Sequence, residues 1–152
     1  MIKTRLVSFL LALCTASAWH LAQAQVSGTA LLQFPGEINF LGDSAGPRYA
    51  VLFGNPKQPG FYVQRAKIPA GFKAPVHFHP EDPRTVTAIS GTLYFAVGDT
   101  WDESKLRAYP AGTSYSESAK TPHYVWAKDG EVIIQIAAFG PTGTIVVEQA
   151  KK

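Results

Sequence analysis

Turn-forming residues recur along almost the whole chain and leave room only for short extended segments. The 152-residue sequence contains 13 glycines and 11 prolines. Pairs such as Pro59-Gly60 and Asp129-Gly130 separate runs that are rich in β-branched and aromatic residues. Only residues 101–107 read as briefly helical, and this segment is too short for a core helix. Many short strands with regular turns are typical of a single-domain all-β sandwich or barrel.

The predicted strands are the short runs between these turns, at 29–34, 49–53, 61–68, 76–79, 85–89, 92–97, 124–126, 132–136 and 143–148. Asp129-Gly130 stands between two of these runs and predicts a β-hairpin that joins them. The phrase Pro-Ala-Gly occurs at 69–71 and again at 110–112. This repetition indicates either the pseudo-repeat of a two-hairpin barrel or simply two similar turns.

The first 24 residues predict a secretory signal peptide. Lys3 and Arg5 precede an apolar run over 6–13, and Ala22-Gln23-Ala24 is an A-x-A cleavage site. The apolar run is shorter than the roughly 20 residues that a membrane span needs. We therefore expect cleavage after Ala24, export to the periplasm or the medium without a membrane anchor, and one domain over 25–152.

Two alternatives to a cleaved leader remain at this stage. Cys14 could carry a lipid, although Leu13 before it is not the small residue that such processing requires. An uncleaved anchor is the other alternative, and Trp19 and His20 would interrupt its apolar segment.

Removal of the leader changes the charge and the chemistry of the mature chain. Of the 14 basic residues, Lys3 and Arg5 leave with the leader, so that 12 remain against 11 acidic residues. This balance provides no basic stripe to neutralise phosphates, so we do not expect nucleic-acid binding. The single cysteine, Cys14, is lost as well, which excludes disulfides, thiol nucleophiles and cysteine metal ligands.

Three histidines remain in the mature chain, and two of them lie two residues apart. His77 and His79 flank Phe78 in an extended segment, so side-chain alternation points both imidazoles to one face. Neutral imidazoles placed in this way can share a metal ion. His123, which follows Pro122 at the start of a strand, can supply a third ligand. The alternative is a chance H-x-H pair on a solvated loop and a lone third histidine.

The residues around this histidine pair resemble the first motif of the cupin superfamily. The sequence has Gly71, five intervening residues, His77-x-His79, eleven intervening residues and Gly91, which is the spacing of that motif. The resemblance spans roughly residues 48–147 and is closest to single-domain bacterial cupins of the ChrR type. It implies an RmlC-like jelly-roll β-barrel with at most one short helix. It also implies one divalent metal ion, held by His77, His79, His123 and a glutamate.

The second cupin motif, G-x5-P-x-G-x2-H, is matched only in part. Gly112 and His123 stand at the right separation, but Ser118 and Lys120 occupy the proline and glycine places. The glutamate of the first motif is also missing, because its position is taken by Arg84. An arginine side chain is a permanently charged donor and cannot ligate a cation. Alternation along the strand nevertheless points Arg84 into the interior.

Several alternatives follow for the missing carboxylate. In the first, which we favour, three histidines and water hold the metal while Arg84 binds an anionic substrate through its bidentate fork. In the second, Glu81, Asp82 or Glu117 supplies the carboxylate ligand. In the third, no metal binds, and Arg84 pairs with an acidic residue inside the barrel. Arg84 could also reach solvent at the barrel mouth.

The resemblance implies dioxygenase-like or isomerase-like chemistry on a small polar or carboxylate-bearing molecule. Iron, manganese, zinc, nickel and copper all accept imidazole, so the ligands do not select among them. We expect Arg84, Tyr124 and Trp126 to contact the substrate. The alternative function is a non-catalytic barrel that binds or senses a small ligand. A homodimer is a further expectation from the resemblance.

Overall fold

Ten β-strands make up nearly all of the regular structure in the computed structural model, which describes residues 32–80 and 83–148. The predicted leader with its cleavage site, Glu81 and Asp82 lie outside those residues. The helical elements within the described ranges are two three-residue 3₁₀ turns, Pro35–Glu37 and Glu103–Lys105. The second turn falls inside the segment that the sequence indicates as briefly helical. Within the described ranges, no helix has the length and apolar character to cross a membrane.

The strands form two antiparallel five-stranded sheets. The first sheet contains, in spatial order, β1 (Arg48–Phe53), β2 (Gly60–Ile68), β9 (Val132–Gly140), β4 (Arg84–Ser90) and β7 (Ser114–Glu117). The second contains β10 (Ile145–Val146), β3 (Lys73–Phe78), β8 (His123–Trp126), β5 (Thr92–Val97) and β6 (Arg107–Pro110). All of these strands belong to a unit that spans Gln33–Lys152. The arrangement confirms the predicted all-β jelly-roll class.

Alternating burial along the strands places the core between the two sheets. On β4, the side chains of Arg84, Val86 and Ala88 are buried while those of Thr85 and Ile89 are exposed. This two-residue period is what a strand with one interior face requires. Burying a large apolar side chain contributes roughly 1.5–3 kcal/mol. The largest fully buried side chains in this core are Tyr62, Leu93, Val86 and Val132. Two further ones, Val76 and Tyr124, form a separate cluster with Ala96 on the outer side of the second sheet.

The two Pro-Ala-Gly sequences form the same kind of turn at two corners of the barrel. The amide of Phe72 donates to the carbonyl of Pro69 at 3.1 Å, and that of Thr113 donates to Pro110 at 3.0 Å. Both glycines have positive φ, as a type II turn requires at its third residue. The first turn leads from β2 to β3 and the second from β6 to β7. Each turn therefore carries the chain from one sheet to the other.

The predicted hairpin around Asp129-Gly130 is wrong. β8 pairs with β3 and β5 in the second sheet, whereas β9 pairs with β2 and β4 in the first. Each of these two strands therefore forms backbone hydrogen bonds along both edges with strands that are distant in sequence. A two-stranded hairpin would leave one edge of each strand unpaired. The glycine turn reverses the chain between sheets instead of within one.

Lys120 adopts a backbone conformation that ordinarily selects glycine. Its φ is +58°, and it is the one non-glycine residue with positive φ in the described part of the chain. Its amide donates to the carbonyl of His79 at 2.7 Å, which ties this turn to the end of β3. The left-handed conformation brings the Cβ atom of an L-residue close to the following carbonyl oxygen. This geometry accounts for the glycine that the second cupin motif has at the position of Lys120.

We expect Lys120→Gly to stabilise the protein by about 0.5–1 kcal/mol, because relief of left-handed strain exceeds the entropy that glycine adds to the unfolded chain. Thermal unfolding followed by circular dichroism should show a melting temperature about 2–4 °C higher. Lys128→Gly is the matched control, since Lys128 is exposed and lacks positive φ. That control should be destabilising, and an equal gain in both variants would contradict the strain argument.

Candidate metal centre

Three histidines, His77, His79 and His123, come together on the inner side of the second sheet. His77 on β3 lies directly opposite His123 on β8 in the strand register, and His79 follows two residues later on the same face. The ring centroids are 4.4 Å apart for His77 and His123, 5.1 Å for His77 and His79, and 5.2 Å for His79 and His123. One ring nitrogen of each lies within 4.8 Å of those of the other two. The three imidazoles could therefore hold one metal ion.

A backbone carbonyl determines the tautomer of each imidazole. The Nδ1 atom of His77 lies 2.7 Å from the carbonyl of Pro75, that of His79 lies 2.7 Å from Gly143, and that of His123 lies 2.9 Å from Thr121. A carbonyl oxygen can only accept, so each Nδ1 carries the proton and donates it. The lone pair of each neutral ring is then on Nε2. This arrangement fits a metal, because ligating histidines ordinarily donate their other ring N–H to such a partner.

Burial keeps these imidazoles in the neutral form that ligates metals. Desolvation lowers the pKa of His77 and of His123 below the ordinary value. For His79, burial together with the positive charge of Arg84 lowers the pKa to about 3. All three rings are therefore uncharged near neutral pH.

A buried ion pair from the first sheet faces the histidines. Arg84 on β4 and Glu117 on β7 are direct cross-strand partners. Their side chains are only 4% and 8% exposed, and Arg84 Nε lies 3.8 Å from Glu117 Oε2. The carboxylate lies 3.8 Å from His79 Nε2 and 3.7 Å from His123 Nε2. Burial raises the pKa of Glu117, and the charge of Arg84 opposes that shift.

Of the predicted site residues, the structure brings together His77, His79, His123, Arg84 and Glu117. Arg84 points inward, as strand alternation predicts, and its Nη2 donates to Thr142 Oγ1 at 3.2 Å. With 5% of its surface exposed, Arg84 does not extend to solvent. The other acidic candidates, Glu81 and Asp82, lie outside the described residues.

Tyr124 and Trp126 do not reach this site, which corrects the expected substrate contacts. His123 and Val125 point from β8 into the interior, so the alternating residues Tyr124 and Trp126 point the other way. The Tyr124 hydroxyl donates to the Asp102 carbonyl at 2.9 Å. The Trp126 ring lies 4.0 Å beneath the ammonium group of Lys73. Both side chains therefore have structural contacts on the outer side of the second sheet.

The histidines and the ion pair line one cavity of about 720 Å³ between the sheets. Most of its remaining lining is aliphatic or aromatic, including Tyr49, Phe72, Val125, Ile134, Ile136 and Val146. A few polar groups converging in a mainly apolar cavity of this size are typical of small-molecule sites.

Tyr115 is a cavity residue that the sequence reasoning missed. It precedes Glu117 by two residues on β7 and therefore shares its inward face. Its hydroxyl is buried and faces the carboxylate of Glu117. Burial, and then the charge of Glu117, raise the pKa of Tyr115, so the phenol keeps its proton. The alternation in Ser-Tyr-Ser-Glu was the available signal.

Comparison with known proteins identifies the fold by structure, since no family model and no curated protein matches the sequence. A conserved protein with a double-stranded β-helix domain from Klebsiella pneumoniae is 17% identical, with a TM-score of 0.60 over 80% of this chain and 100% of that chain. An RmlC-like cupin from Shewanella frigidimarina is 16% identical, with a TM-score of 0.56 over 74% of this chain and 92% of that chain.

An enzyme also has a similar structure. The polyketide cyclase RemF from Streptomyces resistomycificus is 10% identical, with a TM-score of 0.61 over 80% of this chain and 89% of that chain. Identities this low show a common fold and nothing finer. The chain folds as a cupin-type, RmlC-like double-stranded β-helix, in agreement with the resemblance of its histidine motif.

Proposed function

We propose that this protein is an exported metal-dependent enzyme in which His77, His79 and His123 hold one divalent metal ion. The observation that carries the proposal is the convergence of three imidazoles whose Nδ1 atoms are all engaged by backbone carbonyls. Chance packing of histidines does not require the same tautomer three times. The sequence of the first 24 residues supports export to the periplasm or the medium.

The charge of the cavity favours a carboxylate-bearing substrate. Among the described residues, the opposite charges of Arg84 and Glu117 face each other in the cavity, so a divalent ion beside neutral imidazoles adds positive charge to a mainly apolar site. Burial of an unpaired charge costs several kcal/mol, and an anionic ligand offsets that cost. The aliphatic and aromatic lining favours an apolar body for the rest of the molecule.

The chemistry we propose is dioxygenase-like or isomerase-like. A bound divalent ion supplies Lewis-acid polarisation and an open coordination position for the substrate or dioxygen. Tyr115 offers a protonated hydroxyl as a hydrogen-bond donor to the bound molecule. The similarity to RemF supports this proposal to the extent that it places an enzyme on the same fold.

Elemental analysis of the exported, mature protein should find about one equivalent of one divalent metal. We expect His77→Ala/His79→Ala to lose this metal while circular dichroism shows a retained β-fold. Lys73→Ala is the control on the same strand, because Lys73 is exposed and its ammonium group contacts Glu103 at 2.7 Å and the Trp126 ring at 4.0 Å, on the outer side of the sheet. Metal that is absent from the wild type, and is not restored by added ions, would refute the metal site.

A matched pair of ligands tests the substrate class. We expect 2-naphthoate to raise the melting temperature of the metal-loaded protein more than 2-naphthol does, because only the former offsets the positive charge. Ala74→Phe should abolish the shift, since Ala74 lines the cavity. Ala108→Phe on the exposed edge strand should leave it unchanged. Equal shifts from both ligands would contradict the carboxylate preference.

The apolar cavity also supports a second function, a non-catalytic barrel that binds or senses a small ligand. The cavity exists independently of any ion, and Arg84 stands where the cupin motif has a metal-binding glutamate. A binding barrel should keep its affinity for 2-naphthoate in the presence of a chelator and in His123→Ala. An enzyme should lose turnover in that variant while it keeps its fold.

A further inference from the structure

We infer that Glu117 is a ligand of the metal, so that the carboxylate comes from β7 instead of the β4 position that the cupin motif uses. This inference rests on the proposed metal site at the three histidines. It makes the departure at Arg84 an exchange of the ligating position between two strands, from position 84 on β4 to position 117 on β7. The ligand set is then three imidazoles and one carboxylate.

The strand register makes such an exchange possible. Arg84 and Glu117 are direct partners across β4 and β7, and both point into the cavity. The Cβ atoms of directly opposed residues on antiparallel strands lie about 4.5–5.5 Å apart. A carboxylate at position 117 therefore reaches nearly the same space as a carboxylate at position 84 would.

The distances are close to those of a ligand set. Two donors that are each about 2.0–2.2 Å from one ion lie roughly 3.0–3.5 Å from each other. Glu117 Oε1 is 3.7 Å from His123 Nε2, and Oε2 is 3.8 Å from His79 Nε2. Both separations exceed that range by only a few tenths of an ångström, so small side-chain movements would let the carboxylate share an ion with these two imidazoles.

Arg84 is a positioning residue in this arrangement. Its Nε lies 3.8 Å from Glu117 Oε2, which is too long for a hydrogen bond. The Nε–H group therefore places positive charge near the carboxylate without occupying its lone pairs. The bond from its Nη2 to Thr142 holds the guanidinium group on the cavity wall. A buried carboxylate without a neighbouring cation would be costly, and Arg84 removes that cost when no metal is bound.

Binding of Mn²⁺ to the full-length mature protein, followed by electron paramagnetic resonance of the free ion, tests the inference. Mn²⁺ is a suitable probe because it favours oxygen ligands. We expect Glu117→Gln to weaken Mn²⁺ binding at least tenfold. Glu131→Gln, which removes an exposed carboxylate paired with Lys67 at 3.4 Å, is the control for net charge.

The exchange itself provides the sharpest variant. Arg84→Glu/Glu117→Arg places the carboxylate at the motif position, and we expect its Mn²⁺ affinity to recover to within about tenfold of the wild type. If Glu117→Gln does not fold, Arg84→Gln/Glu117→Gln removes both charges of the pair, and we expect it to bind Mn²⁺ at least tenfold more weakly than the wild type.

The outcomes separate this inference from the proposed function. Unchanged Mn²⁺ affinity in Glu117→Gln, with loss of binding in His77→Ala/His79→Ala, would overturn the role of Glu117 and leave the histidine site intact. Failure of the wild type to bind Mn²⁺, Zn²⁺ or Fe²⁺ would overturn both. Recovery in the exchange variant after loss in Glu117→Gln would establish the carboxylate as a ligand.

Discussion

Side-chain alternation on two facing sheets determines which residues of this protein can meet. Every second residue of β4 and β7 points into the space that also receives every second residue of β3 and β8. The histidines come from the second sheet and the Arg84–Glu117 pair comes from the first, and the two sets approach to 3.7–3.8 Å. The candidate centre is therefore a contact between sheets, and it depends on both of them keeping their register.

Backbone carbonyls orient the three imidazoles and determine their tautomers independently of a metal ion. For His77 and His123, the accepting carbonyl belongs to the residue two positions earlier, Pro75 and Thr121. His79 uses Gly143, which lies just before β10. The backbone carbonyl beside each ring therefore determines that Nδ1 carries the proton. Such outer contacts orient a ligand and raise its basicity, so part of the site chemistry resides in peptide groups.

A charged side chain buried in a mainly apolar barrel destabilises the fold unless an opposite charge lies beside it. Removing one partner of a buried ion pair typically costs 3–5 kcal/mol, because the other is left uncompensated. Arg84 could therefore occupy the position of a motif glutamate only with an acidic residue close by, and Glu117 fills that need from the neighbouring strand. The same pairing leaves a carboxylate facing the histidines, which connects the stability of the barrel with its chemistry.

Local sequence determined most of the strand segments, although not β6 and β7, together with the shared face of His77 and His79 and the inward direction of Arg84. A two-residue period and turn chemistry are properties of neighbouring residues. Only the tertiary structure decided that β8 and β9 lie in different sheets and that Glu117 is opposite Arg84. The orientation of β8 likewise points Tyr124 and Trp126 away from the cavity, where they had been expected to contact the substrate. Pairing between strands depends on backbone partners far away in the chain, and no local pattern specifies which partner is chosen.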